Sequence, residues 1–259
     1  IYHGEEYDAA LELPGWADAA APNAAPAGRW HGVETVTYPA AQLYAQAAGK
    51  VSVRNRLPAQ RIFTTPAGET VVDFGQNMAG RVEITATGGP GDVAELRCFE
   101  ELDADGNAYL ANLRKARTIM RYKFAQPGTV TWHPQFTYMG FRYALVVQWP
   151  GTPRAENFTA YTLHTAMEPA GHFQCSEPLV NGLHHNITWG LKSNFLDVPT
   201  DCPQRDERLG WTGDAQIFSE TACWLADTWT FYTKWLTDLV ADQLPDGGVT
   251  NVVPNIEEH

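Results

Sequence analysis

Asp201-Cys-Pro-Gln-Arg-Asp-Glu-Arg-Leu-Gly-Trp-Thr-Gly-Asp214 gathers four carboxylates, two arginines, a tryptophan and two glycines between segments that read as helices. Crowded carboxylates repel one another and resist ionisation, so a run this acidic needs solvent or a task that uses shifted acidity. Pro199 and Pro203 disfavour helix at its start, and Gly210 and Gly213 are expected to permit turns at its end, giving a shaped loop rather than a solvated helix face. Such loops are ordinarily surface networks of ion pairs. Here Trp211 is costly to expose, and an aromatic ring beside acids and arginine suits a sugar, whose apolar face stacks on the ring while its hydroxyls meet the charges. Glu207 and Asp214, separated by a turn, can converge on one ligand. A carboxylate cluster without a basic nucleophile also fits glycoside hydrolysis, in which one acid protonates the leaving oxygen and a second carboxylate activates water or attacks. The residues alone do not rank Asp206 against Glu207. Neighbours in extended chain point to opposite sides, so one is expected to face a ligand and the other to pair with an arginine.

Composition narrows the classes. A chain of 259 residues with 44% hydrophobic content can bury a core and hold more than one domain. Its net charge of −12 argues against nucleic acid or an anionic membrane as partner, both of which need a basic footprint. No apolar run approaches the length of a membrane span. Cys98, Cys175, Cys202 and Cys223 lie far apart without a C-x-x-C pair, so free thiols are expected rather than a zinc ribbon or disulfide framework. Acidic neighbours raise the Cys202 thiol, which argues against a nucleophile. The chain opens IYHGEEYDA, without Met or a basic-apolar leader, and closes on NIEEH; both ends read as cut, and localisation stays open.

Three rhythms follow one another. Residues 1–57 mix an Ala- and Pro-rich loop, ADAAAPNAAPAGRW, with two strand-like pieces, VETVTY and KVSVRN. From about 61 to 165 the pattern is β: ETVVDF, GRVEITA, VAELRCFEE, TIMRYKFA, FRYALVVQW and ENFTAYTLHT, separated by Gly, Pro and Asp turns, suggest a sandwich. Asp73 to Asn77 is expected to form a strand end and turn. Asp103, Asp105 and Asn107 imitate the start of a calcium loop that no Glu completes, so a hairpin turn is favoured. After Pro169 the rhythm is helical. Ser176 followed by Glu177 and Pro178 starts a helix with Leu179, Leu183, Ile187, Leu191 and Phe195 along one face, a second is expected over about 215–225, and a third from near Asp227 as its cap. Trp224, Trp229, Phe231, Tyr232 and Trp235 read as core. His184 and His185, side by side on a helix, face different directions and do not read as a metal pair.

The run DCPQRDERLGWTGDAQ at 201–216 resembles the signature of bacterial α-L-rhamnosidases of glycoside hydrolase family 78. VVDFGQNMAGRVEI at 71–84, ELDADGNAYLANLRKARTIMRY at 101–122, WHPQFTYMGFRYALV at 132–146 and DQLPDGGVTNVVPNI at 242–256 are similar to the same family in the same order. The resemblance implies a multidomain β-plus-α chain, an antiparallel β-sandwich followed by the first helices of a truncated (α/α)6 barrel. The expected division is 1–57 as the tail of an N-terminal β-rich domain, 58–168 as the sandwich and 169–259 as the start of the catalytic barrel.

It also implies an inverting hydrolase that removes terminal α-L-rhamnose from glycosides or oligosaccharides without cofactor or metal. Glu207 would be the general acid, and Asp201, Arg205, Trp211 and Asp214 would contact the rhamnose. Desolvation beside Trp211 and neighbouring carboxylates would favour the protonated acid, while Arg205 and Arg208 would oppose it. Nothing in residues 1–259 matches the family's general base, so these residues alone are expected to be inactive. The alternatives are a noncatalytic carbohydrate-binding or structural remnant, and a related (α/α)6 hydrolase for another sugar.

Overall fold

The computed structural model describes residues 1–17, 32–37, 43 and 45–256. The strands are β1 (Gly4–Asp8), β2 (Val51–Pro58), β3 (Arg61–Thr64), β4 (Thr70–Gly88), β5 (Val93–Phe99), β6 (Glu101–Leu102), β7 (Ala108–Tyr109), β8 (Ile119–Lys123), β9 (Gly128–Trp132), β10 (Met139–Gln148) and β11 (Phe158–Thr165). Among the described residues, nine of them form one sheet in the order β1-β8-β5-β10-β4-β11-β2, with β3 and β9 also paired to β4. The expected antiparallel sandwich thus takes the form of a continuous sheet whose two halves share β4, and β1 departs from it by running parallel to β8. The boundary expected at 57/58 falls inside β2, and β1 and β2 both belong to the sheet expected to begin after them. VETVTY is not a strand over 33–37, Tyr38 lies outside the described residues, and so does all but Ala17 of the Ala/Pro loop.

ETVVDF and GRVEITA are one strand, not two. Along β4, Val82, Ile84 and Ala86 are buried while Arg81, Glu83 and Thr85 are partly exposed, the alternation a half-buried strand requires. Between the two halves, β10 jumps from Phe141, opposite Met78, to Tyr143, opposite Asp73. Residues 74–77 therefore bulge from the ladder. Asp73 makes the bulge: its Oδ1 accepts from the Gly75 amide (2.8 Å), and Gly75 sits at φ +78°. The Arg142 guanidinium holds the same buried carboxylate in a fork at 3.0 and 3.2 Å, with Arg61 at 3.3 Å. Inside the coiled sheet lie Phe74, Met78, Phe124, Met139, Phe141 and Phe158. A second cluster of Val71, Phe99, Leu113 and Tyr143 packs under the hairpin of β6 and β7. Asp103 Oδ1 closes that hairpin by accepting from the amides of Asp105 and Asn107.

The helices are α1 (Pro178–Asn194), α2 (Thr212–Leu225) and α3 (Trp229–Ala241). Glu177 caps α1 by accepting from the Leu179 amide, with Pro178 in the first turn. Only the C-terminal end of the expected α1 stripe is buried: Leu191 and Phe195 join Ala222 and Phe231, whereas Leu179 and Leu183 are exposed. The Phe195 and Phe231 rings stack 4.5 Å apart. The aromatic stripe divides likewise, with Phe231 and Trp235 buried but Trp224 and Trp229 each 77% exposed. His185 Nε2 meets Gln76 Oε1 of the β4 bulge at 2.8 Å, and the His184 ring lies against Phe173, so the two histidines point apart as expected.

Candidate active site

The acidic loop begins where α1 ends. Strands β12 (Phe195–Leu196) and β13 (Val198–Pro199) turn about Asp197, whose φ of +68° is unusual for a residue with a Cβ. Lys234 of α3 holds that turn, with Nζ 3.0 Å from Asp197 Oδ2 and 2.9 Å from Asp238. The loop is then closed on itself: the Asp201 amide donates to the Leu209 carbonyl (3.0 Å), and the Leu209 amide donates to Asp201 Oδ1 (2.9 Å). Arg208, at φ +59° and buried, props it from within. Its guanidinium donates to the carbonyls of Tyr138 and Arg205 and lies 5.0 and 5.4 Å from the ring centres of Tyr138 and Tyr2.

The glycines act differently from the expectation, since neither Gly210 nor Gly213 has positive φ. A Cβ at Gly210 would stand 2.3 Å from the Val253 carbonyl, so close approach, not turning, requires this glycine; Gly213 lies in the first turn of α2. The loop also docks on the sheet. Gly140, in β10, donates its amide to the Pro203 carbonyl, and a Cβ there would meet Pro203 Cγ at 2.6 Å.

Within this frame Asp201, Arg205 and Glu207 converge. Arg205 Nη2 is 3.5 Å from Asp201 Oδ2, and its Nε is 3.1 Å from Glu207 Oε2. The carboxylates of Asp201 and Glu207 and the Cys202 thiol each bring an atom within 4.8 Å of the others, with the arginines supplying the opposing charge. Burial, reinforced by Asp201, pushes the Cys202 thiol up to about 11, in keeping with an inert sulfur. Glu207, rather than Asp206, is the arginine-paired neighbour; Asp206 Oδ1 is buried without a hydrogen-bond partner.

Arg205 Nε, Glu207 Oε2, Arg208 Nη2 and Trp211 Nε1 also lack an aligned hydrogen bond, the Glu207 ion pairs being close in distance but not in direction. Together with Asp206 Oδ1, five such buried polar atoms belong to this one loop. Asp214 is exposed on the first turn of α2. It shares with Asp201 the wall of a cavity of about 620 Å³ between α1 and α2, bounded also by Asn194, Phe195 and Phe218. Glu207, Arg205 and Trp211 are not in that wall, so Asp201 joins two groups of site residues.

Sequence reasoning missed three residues of the sheet side. Arg114 Nη1 reaches Glu207 Oε2 at 2.9 Å, and the Tyr2 hydroxyl donates to the Glu207 carbonyl. Glu100, after β5, accepts from Asn77 and is pushed up by burial, an effect that Asn77 partly counters. A basic run, Arg114-Lys115-Ala-Arg117, in a chain of net charge −12 was the available signal for the first.

A β-sheet unit is thus joined to three helices through a carboxylate–arginine loop, and the comparisons place this arrangement among glycosidases. Residues 63–164 match the bacterial alpha-L-rhamnosidase concanavalin-like domain, and residues 168–259 match the bacterial alpha-L-rhamnosidase 6 hairpin glycosidase domain. The chain belongs to the bacterial α-L-rhamnosidases of glycoside hydrolase family 78. It is 41% identical over 257 residues to an alpha-L-rhamnosidase of Streptomyces avermitilis, covering 99% of this chain and 25% of the relative. The crystal structure of the Streptomyces avermitilis enzyme complexed with L-rhamnose superposes with a TM-score of 0.92 at 40% identity, again over 99% of this chain and 25% of that one. Native α-L-rhamnosidase from Aspergillus terreus gives 0.93 at 38% identity, over 99% and 30%. The chain thus spans about a quarter of the length of the curated relatives it matches.

Proposed function

We propose that the protein containing this chain hydrolyses terminal α-L-rhamnosides with inversion, using Glu207 as general acid, and that Asp201, Arg205, Trp211 and Asp214 hold the rhamnose ring. The observation that carries the reading is the convergence of Asp201, Arg205 and Glu207 in one loop clamped between sheet and helices. In the reaction the Glu207 carboxyl gives its proton to the glycosidic oxygen as the C1–O bond breaks. A separate carboxylate takes a proton from the water that attacks C1 from the opposite face.

Asp201 does not supply that base. Inverting pairs stand roughly 6.5–9.5 Å apart to admit water, whereas Asp201 and Glu207 bring oxygen atoms within 4.8 Å of each other. Asp201 is also unsuited to attack C1 itself: its side chain is 6% exposed, with one oxygen on the Leu209 amide and the other facing Arg205. With Asp201 unsuited, this reading takes the base from outside residues 1–259, none of which matches the family's general base. Residues 169–259 form the first part of an (α/α)6 barrel, a reading supported by the apolar side chains that α1, α2 and α3 leave exposed, Leu179, Ile217, Trp224 and Trp229 among them.

The test is hydrolysis of an aryl α-L-rhamnoside by the complete protein, with the first-formed anomer read by NMR. Glu207→Gln is expected to lower kcat about 10²- to 10⁴-fold, the usual worth of a general acid. A retained anomeric configuration would overturn inversion, and an unaffected variant would overturn the role of Glu207.

A further inference from the structure

We infer that the cleft between the β4 bulge and α1 seats the leaving group and is shaped for a sugar ring, so that the substrate carries its rhamnose on a second, neutral sugar. This deepens the rhamnoside-hydrolase reading and rests on it. The cleft, about 250 Å³ in volume, is walled by Gln76 and Asn77 of the bulge, Glu100 after β5, and Asn186, Trp189 and Ser193 of α1. It is smaller than the roughly 300–1,000 Å³ of sites for drug-sized ligands, so it suits one ring rather than a polycyclic group. Amides, a carboxyl and a hydroxyl around a single tryptophan offer both donors and acceptors, which matches the hydroxyls of a pyranose better than a flat aryl group. Among the described residues no lysine or arginine lines the cleft, so an anionic ligand would find no counter-charge there.

Some of these side chains hold the walls in place. His185 Nε2 lies 2.8 Å from Gln76 Oε1, and Asn77 Nδ2 donates to Glu100 Oε1 at 3.0 Å. Asn186 and Ser193 differ, because neither makes a side-chain hydrogen bond among the described residues, although Ser193 is buried. A buried hydroxyl without a protein partner is uncommon, and this one belongs to a residue that lines the cleft.

The position fits a leaving group. A general acid protonates the oxygen that departs with the aglycone, so the aglycone lies beside the acid and next to the rhamnose. The cleft meets both conditions. It adjoins the cavity of Asp201 and Asp214, since Gly190 and Asn194 line the two in common, and Pro203 of the acidic loop forms part of its wall. On the sheet side one short turn touches both carboxyls: Asn112 Nδ2 is 3.4 Å from Glu100 Oε2, and Arg114 Nη1 is 2.9 Å from Glu207 Oε2. Gly190 stands where the two cavities meet. It lies inside α1 without a positive φ, and a Cβ there would meet nothing within 4 Å. Neither turning nor packing asks for a glycine that weakens the helix relative to alanine, whereas open space on the shared wall lets a ligand reach across it.

The experiment measures kcat/KM of the complete protein on an aryl α-L-rhamnoside and on a panel of α-L-rhamnosyl-D-glucosides of different linkage, for the parent and its Asn186→Ala, Ser193→Ala and Gly190→Leu variants. The readout is the ratio of kcat/KM on the best rhamnosylglucoside to that on the aryl rhamnoside, which general damage to the enzyme does not move. Asn186→Ala and Ser193→Ala are each expected to lower the ratio roughly two- to tenfold, the worth of one hydrogen bond. Gly190→Leu, which fills the passage, is expected to lower it further. A ratio unchanged in all three variants would overturn the inference, as would a parent that cleaves the aryl rhamnoside but none of the rhamnosylglucosides. A parent inactive on every substrate would instead remove the rhamnoside-hydrolase reading, and the role of the cleft with it. If Gly190→Leu fails to fold, Asn186→Ala, a change at an exposed position of α1, decides the matter.

Discussion

At Cys202 the residue-level reading and the structure meet. The sequence places a thiol among carboxylates, and the fold buries it, so its thiolate is scarce. With the thiol pushed up to about 11, roughly one molecule in a thousand carries a thiolate at pH 8. Cys202 is therefore expected to resist a thiol reagent at that pH until the protein unfolds, as followed by labelling and peptide mass analysis; rapid labelling of the native protein would contradict the buried loop. The site was legible in part for a physical reason. The residues that carry charge within one short run, Asp201, Arg205 and Glu207, announce themselves by type and spacing. Arg114 and Tyr2 reach Glu207 from 93 and 205 positions away through tertiary folding, and no local pattern records such a contact. Even the preference for Glu207 over Asp206 came from the family resemblance, because adjacent acids are equivalent until a fold separates their surroundings.

Among the elements, β4 shows what alternation can and cannot tell. Its two halves were visible as ETVVDF and GRVEITA, but the bulge at 74–77 looks like a strand end in sequence, since Gly75 and Asn77 are turn residues. Continuity depends on Asp73, whose carboxylate is tied to Arg142, Gly75 and Arg61. Burial alone would raise this carboxyl; the Arg142 fork, the Gly75 amide and Arg61 outweigh it and hold it below the usual range. An acid held low in the folded state contributes stability above its unfolded value, near 3.9, and that contribution fades as pH falls through the lower folded value. Asp73→Asn is expected to cost roughly 3 kcal/mol at pH 6, the low end for breaking a buried pair because both arginines are partly exposed. The gap between parent and variant should shrink below about pH 4. Urea unfolding at pH 6 and pH 3 checks this, and a gap that does not narrow would contradict the ion-pair account.

For the whole molecule, the apolar faces of the helices carry the largest consequence. Leu179 is 82% exposed, Ile217 83% and Val240 68%, alongside Trp224 and Trp229, while the sheet buries its own core. The helical pattern was readable from periodicity, but which face is covered depends on neighbours, and α1 shows an apolar stripe whose N-terminal half has none among the described residues. The 259 residues alone are expected to bind an apolar dye strongly and to release no rhamnose from aryl rhamnosides; enzyme-like release would place a general base within them. In the complete protein, the central claim is that Glu207 hands a proton to the departing oxygen. The most direct measurement compares parent and Glu207→Gln on aryl α-L-rhamnosides whose leaving groups range from strongly acidic phenols to weakly acidic ones. A proton donor matters little to a leaving group that departs readily as an anion, so the variant should approach the parent on the most acidic phenol and fall progressively behind as acidity weakens. An equal loss across the whole series would contradict proton donation by Glu207.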